Sequence, residues 1–141
     1  FAGRRAVSML RVLFREAARA DADTLVRACL AQRGIEVFHS SQGVEGLCLL
    51  LIAKPGQDAL HAACDEVRRL LPGAQVKLRE NLAALLALCR TTREVPKLAA
   101  AMESAGVPVH HLVQTPPGAL FCVNDSQYET ALRAAYALAF G

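Results

Sequence analysis

The chain repeats one pattern. From Leu10 to Leu71 and again from Leu85 to Phe140 it reads strand, helix, strand, strand, helix. Gly34-Ile35-Glu36-Val37 in the first half is answered by Gly106-Val107-Pro108-Val109 in the second. Leu47-Cys48-Leu49-Leu50 is answered by Leu120-Phe121-Cys122-Val123. The offset, roughly seventy residues, exceeds solenoid periods and fits a small α/β module. A duplicated βαββα unit without a catalytic signature suits a sensor better than an enzyme core.

At 141 residues the chain holds one domain or two small ones, and its 53% apolar content supports real cores. Much of that content is Ala, which lets helices lie close to a sheet. The net charge of +3 is modest and the Lys and Arg residues are dispersed, so nucleic acid is not implied. Trp is absent and there are two Tyr, too few for a base-stacking platform. No apolar run reaches membrane length, and the N-terminus lacks a signal-peptide pattern. Cys29, Cys48, Cys64, Cys89 and Cys122 are odd in number and contain no CxxC pair, which points to buried free thiols in a reducing cytoplasm. The chain begins at Phe1 without Met and reads as a piece of something longer.

Ser8 to Phe14 is a strand candidate, and Ala20 to Arg33 a helix with the apolar stripe Leu25, Val26, Cys29 and Leu30, closed by Gly34. Ile35 to His39 reads as a strand, Ser40-Ser41-Gln42-Gly43 as a turn, and Gly46 to Ala53 as a central strand. Asp58 opens the clearest helix, with Leu60, Ala63, Cys64, Val67, Leu70 and Leu71 at helical spacing. Gln75 to Arg79 alternates in period two, as an edge strand does.

In the second half, Leu82 to Cys89 reads as a strand and Arg93 to Ala105 as a helix with Val95, Leu98, Met102 and Ala105 inward. Val107 to Val113 is a strand, Gln114 to Gly118 a turn, and Ala119 to Val123 a strand. Asn124, Asp125 and Ser126 offer caps to a last helix carrying Tyr128, Ala131, Leu132 and Ala135 inward.

The halves differ at their ends. The first has the closing strand Gln75 to Arg79, whereas the second runs out on its helix. A sheet without its last strand leaves a pairing edge open. The leading residues Phe1 to Val7 are therefore expected to complete the second unit, giving units 8–80 and 81–141 with strand 1–7 added to the latter.

With these residues in place, the chain resembles the regulatory tail of aspartate kinases, a tandem pair of ACT domains. The family's helix-to-strand run, A-x-A-G-I-N-V-x-x-I with a following V-Q turn, is echoed by Ala31-Gln32-Arg33-Gly34-Ile35-Glu36-Val37 and Ser41-Gln42. The second unit echoes it with Ala101 to Val109. The family's ending is echoed by Phe121-Cys122-Val123-Asn124-Asp125, Ala131 to Tyr136, and Phe140. The resemblance covers essentially the whole chain. It implies an α/β (α+β sandwich) fold of two interlocked ferredoxin-like βαββαβ ACT units, with antiparallel sheets and helices on one face. It further implies a homodimer, an amino-acid effector of the lysine or threonine class, and a catalytic kinase domain in cis or in trans. No cofactor and no metal are implied.

The departures fall at the effector site. The family places a Gly-rich turn between the first strand and helix, where backbone N–H groups bind an effector carboxylate. Here that loop is Arg15-Glu16-Ala17-Ala18-Arg19-Ala20-Asp21-Ala22-Asp23, without Gly, and its acids oppose a carboxylate. The second loop, Arg90-Thr91-Thr92-Arg93, also lacks Gly, and Glu36 and Pro108 replace the family's Asn. The candidate effector-binding set is Arg15, Arg19, Asp21, His39, Ser40, Ser41 and Gln42. Arg15 and Arg19 are side-chain substitutes for the lost backbone donors. His39 with Ser40, Ser41 and Gln42 is either a solvent-facing turn or an effector-facing polar cluster.

His110-His111 does not chelate a metal, since strand neighbours point to opposite faces. Asp65-Glu66 diverge on their helix and read as a solvated face, and Arg4-Arg5 as a strand flank. No nucleophile triad, P-loop or dinucleotide fingerprint is present. Two functions remain: an amino-acid-sensing regulatory module, or a dimerisation module of the same fold that has lost its ligand.

Overall fold

The computed structural model of the chain describes residues 2–14, 21–42, 46–52, 56–89, 91, 93–115 and 118–140. The elements are β1 (Ala2–Leu13), α1 (Ala22–Gln32), β2 (Glu36–Gln42), β3 (Gly46–Ile52), α2 (Gln57–Leu70), β4 (Gln75–Leu88), α3 (Glu94–Ser104), β5 (His111–Thr115), β6 (Gly118–Asn124) and α4 (Tyr128–Phe140). A short 3₁₀ turn, Asp125–Gln127, leads into α4. The chain divides into two compact units, Ser8–Glu80 and Phe1–Val7 with Asn81–Gly141.

In the Ser8–Glu80 unit the strand order is β2-β3-β1-β4. β1 and β2 both pair antiparallel with β3. One sheet face is the core: Leu10 and Val12 of β1 with Leu47, Leu49 and Leu51 of β3. Val26, Cys29 and Leu30 of α1 and Leu60, Ala63, Cys64 and Val67 of α2 cover that face. These are the residues whose helical spacing marked them as an apolar stripe. Glu66 of α2 pairs with Arg33, the C-cap of α1, at 2.5 Å and with Arg69 one turn along α2 at 3.7 Å, while Asp65 pairs with Arg68 at 2.9 Å. The two adjacent acids thus take separate partners, as their divergence on a helix requires.

The other unit has the order β1-β4-β6-β5, with β4 and β5 both antiparallel to β6. Its core joins Ala83, Leu85 and Ala87 of β4 and Ala119, Phe121 and Val123 of β6 to Val95, Leu98 and Met102 of α3 and Ala131 and Ala135 of α4. Ala105, expected inward, is exposed, because α3 ends at Ser104 and Ala105 is its C-cap.

The duplication survives in atomic detail. Gly34 (φ 71°) closes α1 and Gly106 (φ 81°) closes α3. Ile35 N–H reaches Leu30 O at 3.0 Å, and Val107 N–H reaches Met102 O at 2.9 Å, so both helices end in the same left-handed cap. Gly46 and Gly118 open the equivalent strands β3 and β6, so Leu47 to Leu50 answer Ala119 to Cys122, one position earlier than the expected Leu120 to Val123. A Cβ on Gly46 would stand 2.0 Å from Val12 O, and one on Gly118 2.1 Å from Ala87 O.

Several expected boundaries move. The strands 75–79 and 82–89 are one strand, β4, with Asn81 at φ 58°. Residues 2–13 likewise form one strand, with Ala6 at φ 54°. Period-two alternation breaks at those positive-φ residues, which reads as a strand end in sequence. The expected strand Val107–Val113 begins at His111. Pro108 has no N–H to give a ladder, and His110 instead bonds through its backbone to Cys122 O at 2.8 Å.

Asn124, Asp125 and Ser126 do not act as the expected side-chain caps. Asn124 is the N-cap of the 3₁₀ turn without a side-chain capping bond. Its Oδ1 accepts from His110 Nε2 at 2.8 Å, and its Nδ2 donates to Gln127 Oε1 at 3.0 Å. Asp125 holds β1: Oδ1 accepts from Ala6 N–H at 3.0 Å, and Oδ2 lies 3.2 Å from Arg5. Arg5 also sits 5.5 Å over the Tyr128 ring. Arg5 is thus a strand flank tied to Asp125.

Candidate functional site

The candidate residues gather around the edge strand β2 and the start of α1. Arg15 and Arg19 lie outside the described residues. Asp21 is the N-cap residue of α1 and makes no side-chain capping bond there. Ser40, Ser41 and Gln42 are not a turn. They continue β2 and pair with Leu49, Cys48 and Leu47 of β3. β3 is long enough to keep supplying ladder partners as far as Leu47, which overrides the turn propensity of Ser and Gln. Gly43 lies outside the described residues.

The register of β2 slips between Val37 and His39. Val37 faces Leu51 and packs on the helix-side core. The extra residue, Phe38, then inverts the alternation. His39 opposes Leu50 and Ser41 opposes Cys48, on the face away from the helices. Ser40 opposes Leu49 and Gln42 opposes Leu47, on the helix side. The four-residue polar cluster is therefore split two and two across the sheet.

On the helix side Ser40 is engaged. Its Oγ accepts from the Arg27 guanidinium of α1. Arg27 Nε lies 3.1 Å from both carboxylate oxygens of Asp23, one helical turn back. Arg27 was not among the sequence candidates. The only signal for it was the Asp-x-x-x-Arg spacing, which is common on solvated helices. Its cation also offsets the Asp23 charge that was expected to repel a carboxylate.

On the other face, His39 Nε2 is buried without a hydrogen-bond partner. Burial pushes its pKa below the ordinary imidazole value, so the ring is held neutral. Burial also pushes the Cys29, Cys48, Cys64 and Cys89 thiols up, which leaves them protonated and poor nucleophiles. Among the described residues, no group of three or more His, Cys, Asp or Glu could hold a metal. Among the described residues, no helix is long and apolar enough to cross a membrane.

The sequence matches no family model and no curated protein. Solved structures match closely in fold. The regulatory subunit of aspartate kinase from Thermus thermophilus, ligand free, superposes with a TM-score of 0.73 at 23% identity, over 99% of this chain and 96% of that one. The fold is that of the aspartate kinase regulatory region. Clostridium acetobutylicum aspartate kinase, described as an allosteric enzyme, gives a TM-score of 0.83 at 14% identity over 96% of this chain. E. coli aspartokinase III in complex with lysine and aspartate gives 0.74 at 16% identity over 99%. The chain spans about a third of these two kinases, 33% and 32% of their lengths. It spans nearly all of the free-standing regulatory subunit.

Proposed function

We propose that the chain is a regulatory, amino-acid-sensing module of the aspartate kinase type, built as a tandem ACT pair. It acts on a catalytic kinase domain supplied in cis or in trans. The observation that carries this reading is the fold match over 96–99% of the chain both to whole kinases and to a separate regulatory subunit. The strand orders β2-β3-β1-β4 and β1-β4-β6-β5 support two ferredoxin-like units, since each reads edge-centre-centre-edge with the two helices of that unit on one side. Residues 2–7 would supply the fourth strand of the second unit, a reading supported by the bonds from Arg5 and Ala6 to Asp125. An effector of the lysine or threonine class would favour one arrangement of the module over another, and coupling of about 1–3 kcal/mol suffices for control.

A second reading, dimerisation without a ligand, draws on the site. Ser40 is occupied by Arg27, and the β2 polar residues do not converge on one face. Lysine and threonine are therefore expected to bind weakly or not at all in the family's usual pocket of the first unit. Losing charge-assisted hydrogen bonds of about 1.5–3 kcal/mol each moves a micromolar site towards millimolar. Calorimetry with each amino acid at millimolar concentration tests this; a tight lysine or threonine signal that Gln42→Ala abolishes would show the usual pocket intact.

Both readings share a homodimer. β2 and β5 are edge strands in their units, and such edges recruit partners. Leu112 on β5 and Tyr136 and Leu138 on α4 are large, exposed apolar side chains. Light scattering at micromolar concentration should report twice the chain mass, and a monomer there counts against the assembly.

A further inference from the structure

The sheet of the Ser8–Glu80 unit has a second face, turned away from α1 and α2. The ladder sets its rows. Arg11 of β1 lies opposite Cys48 of β3, and Cys48 lies opposite Ser41 of β2. Met9, Leu50 and His39 form the next row. Neighbouring strands are about 4.8 Å apart, so Arg11 and Ser41 flank the buried Cys48 with about 10 Å between their backbones. That separation admits one small anion between a guanidinium and a hydroxyl.

Among the described residues, the charge on this face has one dominant sign. Val76 and Leu78 of β4 pack on the helix-side core, so Lys77 and Arg79 alternate to the same face as Arg11. Glu80 turns to the helix side, where it pairs with His61 of α2 at 3.1 Å. The acid that the described residues place on the second face is Glu36, opposite Ile52. It stands four residues along β3 from the Cys48 row, about 13 Å away. Among the described residues the guanidinium of Arg11 and the cations of Lys77 and Arg79 have no ion-pair or hydrogen-bond partner.

The fold does not require this polarity. The duplicated unit carries the same ladder with Leu86 opposite Leu120 and Leu120 opposite Val113. Arg11, Cys48 and Ser41 thus stand where the second unit has Leu86, Leu120 and Val113. The histidine of the neighbouring row occurs in both: His39 opposes Leu50, and His111 opposes Cys122. Polar chemistry has been placed in one copy of a position that is apolar in the other.

We infer that the row Arg11–Cys48–Ser41 is a binding site for a small carboxylate, held by the Arg11 guanidinium and the Ser41 hydroxyl on a face that also carries the cations Lys77 and Arg79. The assignment of that carboxylate to an amino-acid effector rests on the proposed sensing function; the site itself does not. It differs from a pocket formed by backbone N–H groups in a Gly-rich loop, because its donors are side chains on a rigid sheet.

The test uses calorimetry on the chain with three probes: the panel of amino acids, succinate as a plain carboxylate, and inorganic phosphate. Arg11→Leu and Ser41→Val are the variants, each installing the residue that the second unit tolerates at that position. Circular dichroism checks that they fold. Arg11→Leu should weaken carboxylate binding at least about tenfold and Ser41→Val by a smaller factor, with affinity falling as salt rises. Arg11→Lys should restore part of the loss. Amino-acid binding that both variants leave unchanged overturns the site and leaves the sensing function standing. Succinate binding that depends on Arg11, without any amino-acid binding, supports the site and removes the sensing function. Binding of phosphate alone, or of none of the three probes, overturns the carboxylate assignment.

Discussion

Gly118→Ala should lower the melting temperature by about 10 °C. The added methyl would sit 2.1 Å from Ala87 O, well inside contact distance, and the atom it meets is backbone. A side chain could rotate away, but a carbonyl in the β4–β6 ladder cannot without parting the strands at Leu88 and Gly118. Overpacking of this kind costs about 3 kcal/mol, and a chain of this size loses about 3 °C for each kcal/mol. Gly46→Ala should behave alike, because its methyl would meet Val12 O at 2.0 Å. The comparison variant is Gly73→Ala, where nothing lies within 4 Å and only the φ of 92° opposes a side chain. That conformational cost is about 1 kcal/mol. Thermal melts of the three variants decide the matter. If Gly118→Ala and Gly46→Ala lose no more than Gly73→Ala, the close approach of β3 to β1 and of β6 to β4 is wrong.

Asp125→Ala should cost about 2 kcal/mol, through loss of the charge-assisted bond from Ala6 N–H. Ala6 holds a φ of 54°, which a non-glycine residue adopts at a cost. The Asp125 carboxylate helps keep it there. Arg5 is half exposed and adds direction more than energy. The effect should depend on pH. Folding depresses the Asp125 pKa, chiefly through the Ala6 N–H bond and then through Arg5. A depressed carboxylate contributes its full stability above the unfolded pKa and loses it as pH falls through the folded one. The gap in denaturant midpoint between the native chain and Asp125→Asn should therefore be widest near neutral pH and narrow on acidification. A gap that stays constant down to the onset of acid unfolding would contradict the ionised latch. Limited proteolysis gives an independent reading: cleavage within 2–7 should accelerate in Asp125→Ala and not in a distant surface variant such as Lys97→Ala.

The helices were legible because each carries its information locally. Leu60, Ala63, Cys64 and Val67 lie on one stripe at helical spacing, and all four are buried. Gly34 and Gly106 mark helix ends in the sequence and close both helices with positive φ. The duplication was legible for the same reason, and it placed equivalent glycines, strands and helices in both units. The resemblance to the aspartate kinase regulatory region followed from that order of elements, and the fold comparison bears it out.

The site was legible only as a list of residues. Ser40, Ser41 and Gln42 were read as a turn, since their intrinsic preference is for turns and the partner strand that overrides it lies in β3. The bulge at Phe38 left no mark in the sequence, yet one added residue reverses every side chain after it. It sends His39 and Ser41 to one face and Ser40 and Gln42 to the other.

What the sequence determined by itself is whatever depends on neighbours within a helical turn or a strand: element order, apolar faces, helix ends and the repeat. What the tertiary structure alone decided is which distant groups meet. Asp125 takes Ala6 from the far end of the chain, Arg27 takes Ser40, and Arg11 faces the Cys48 row. Those pairings depend on ladder register, and register is fixed by the packing of whole strands, which no short window of sequence contains.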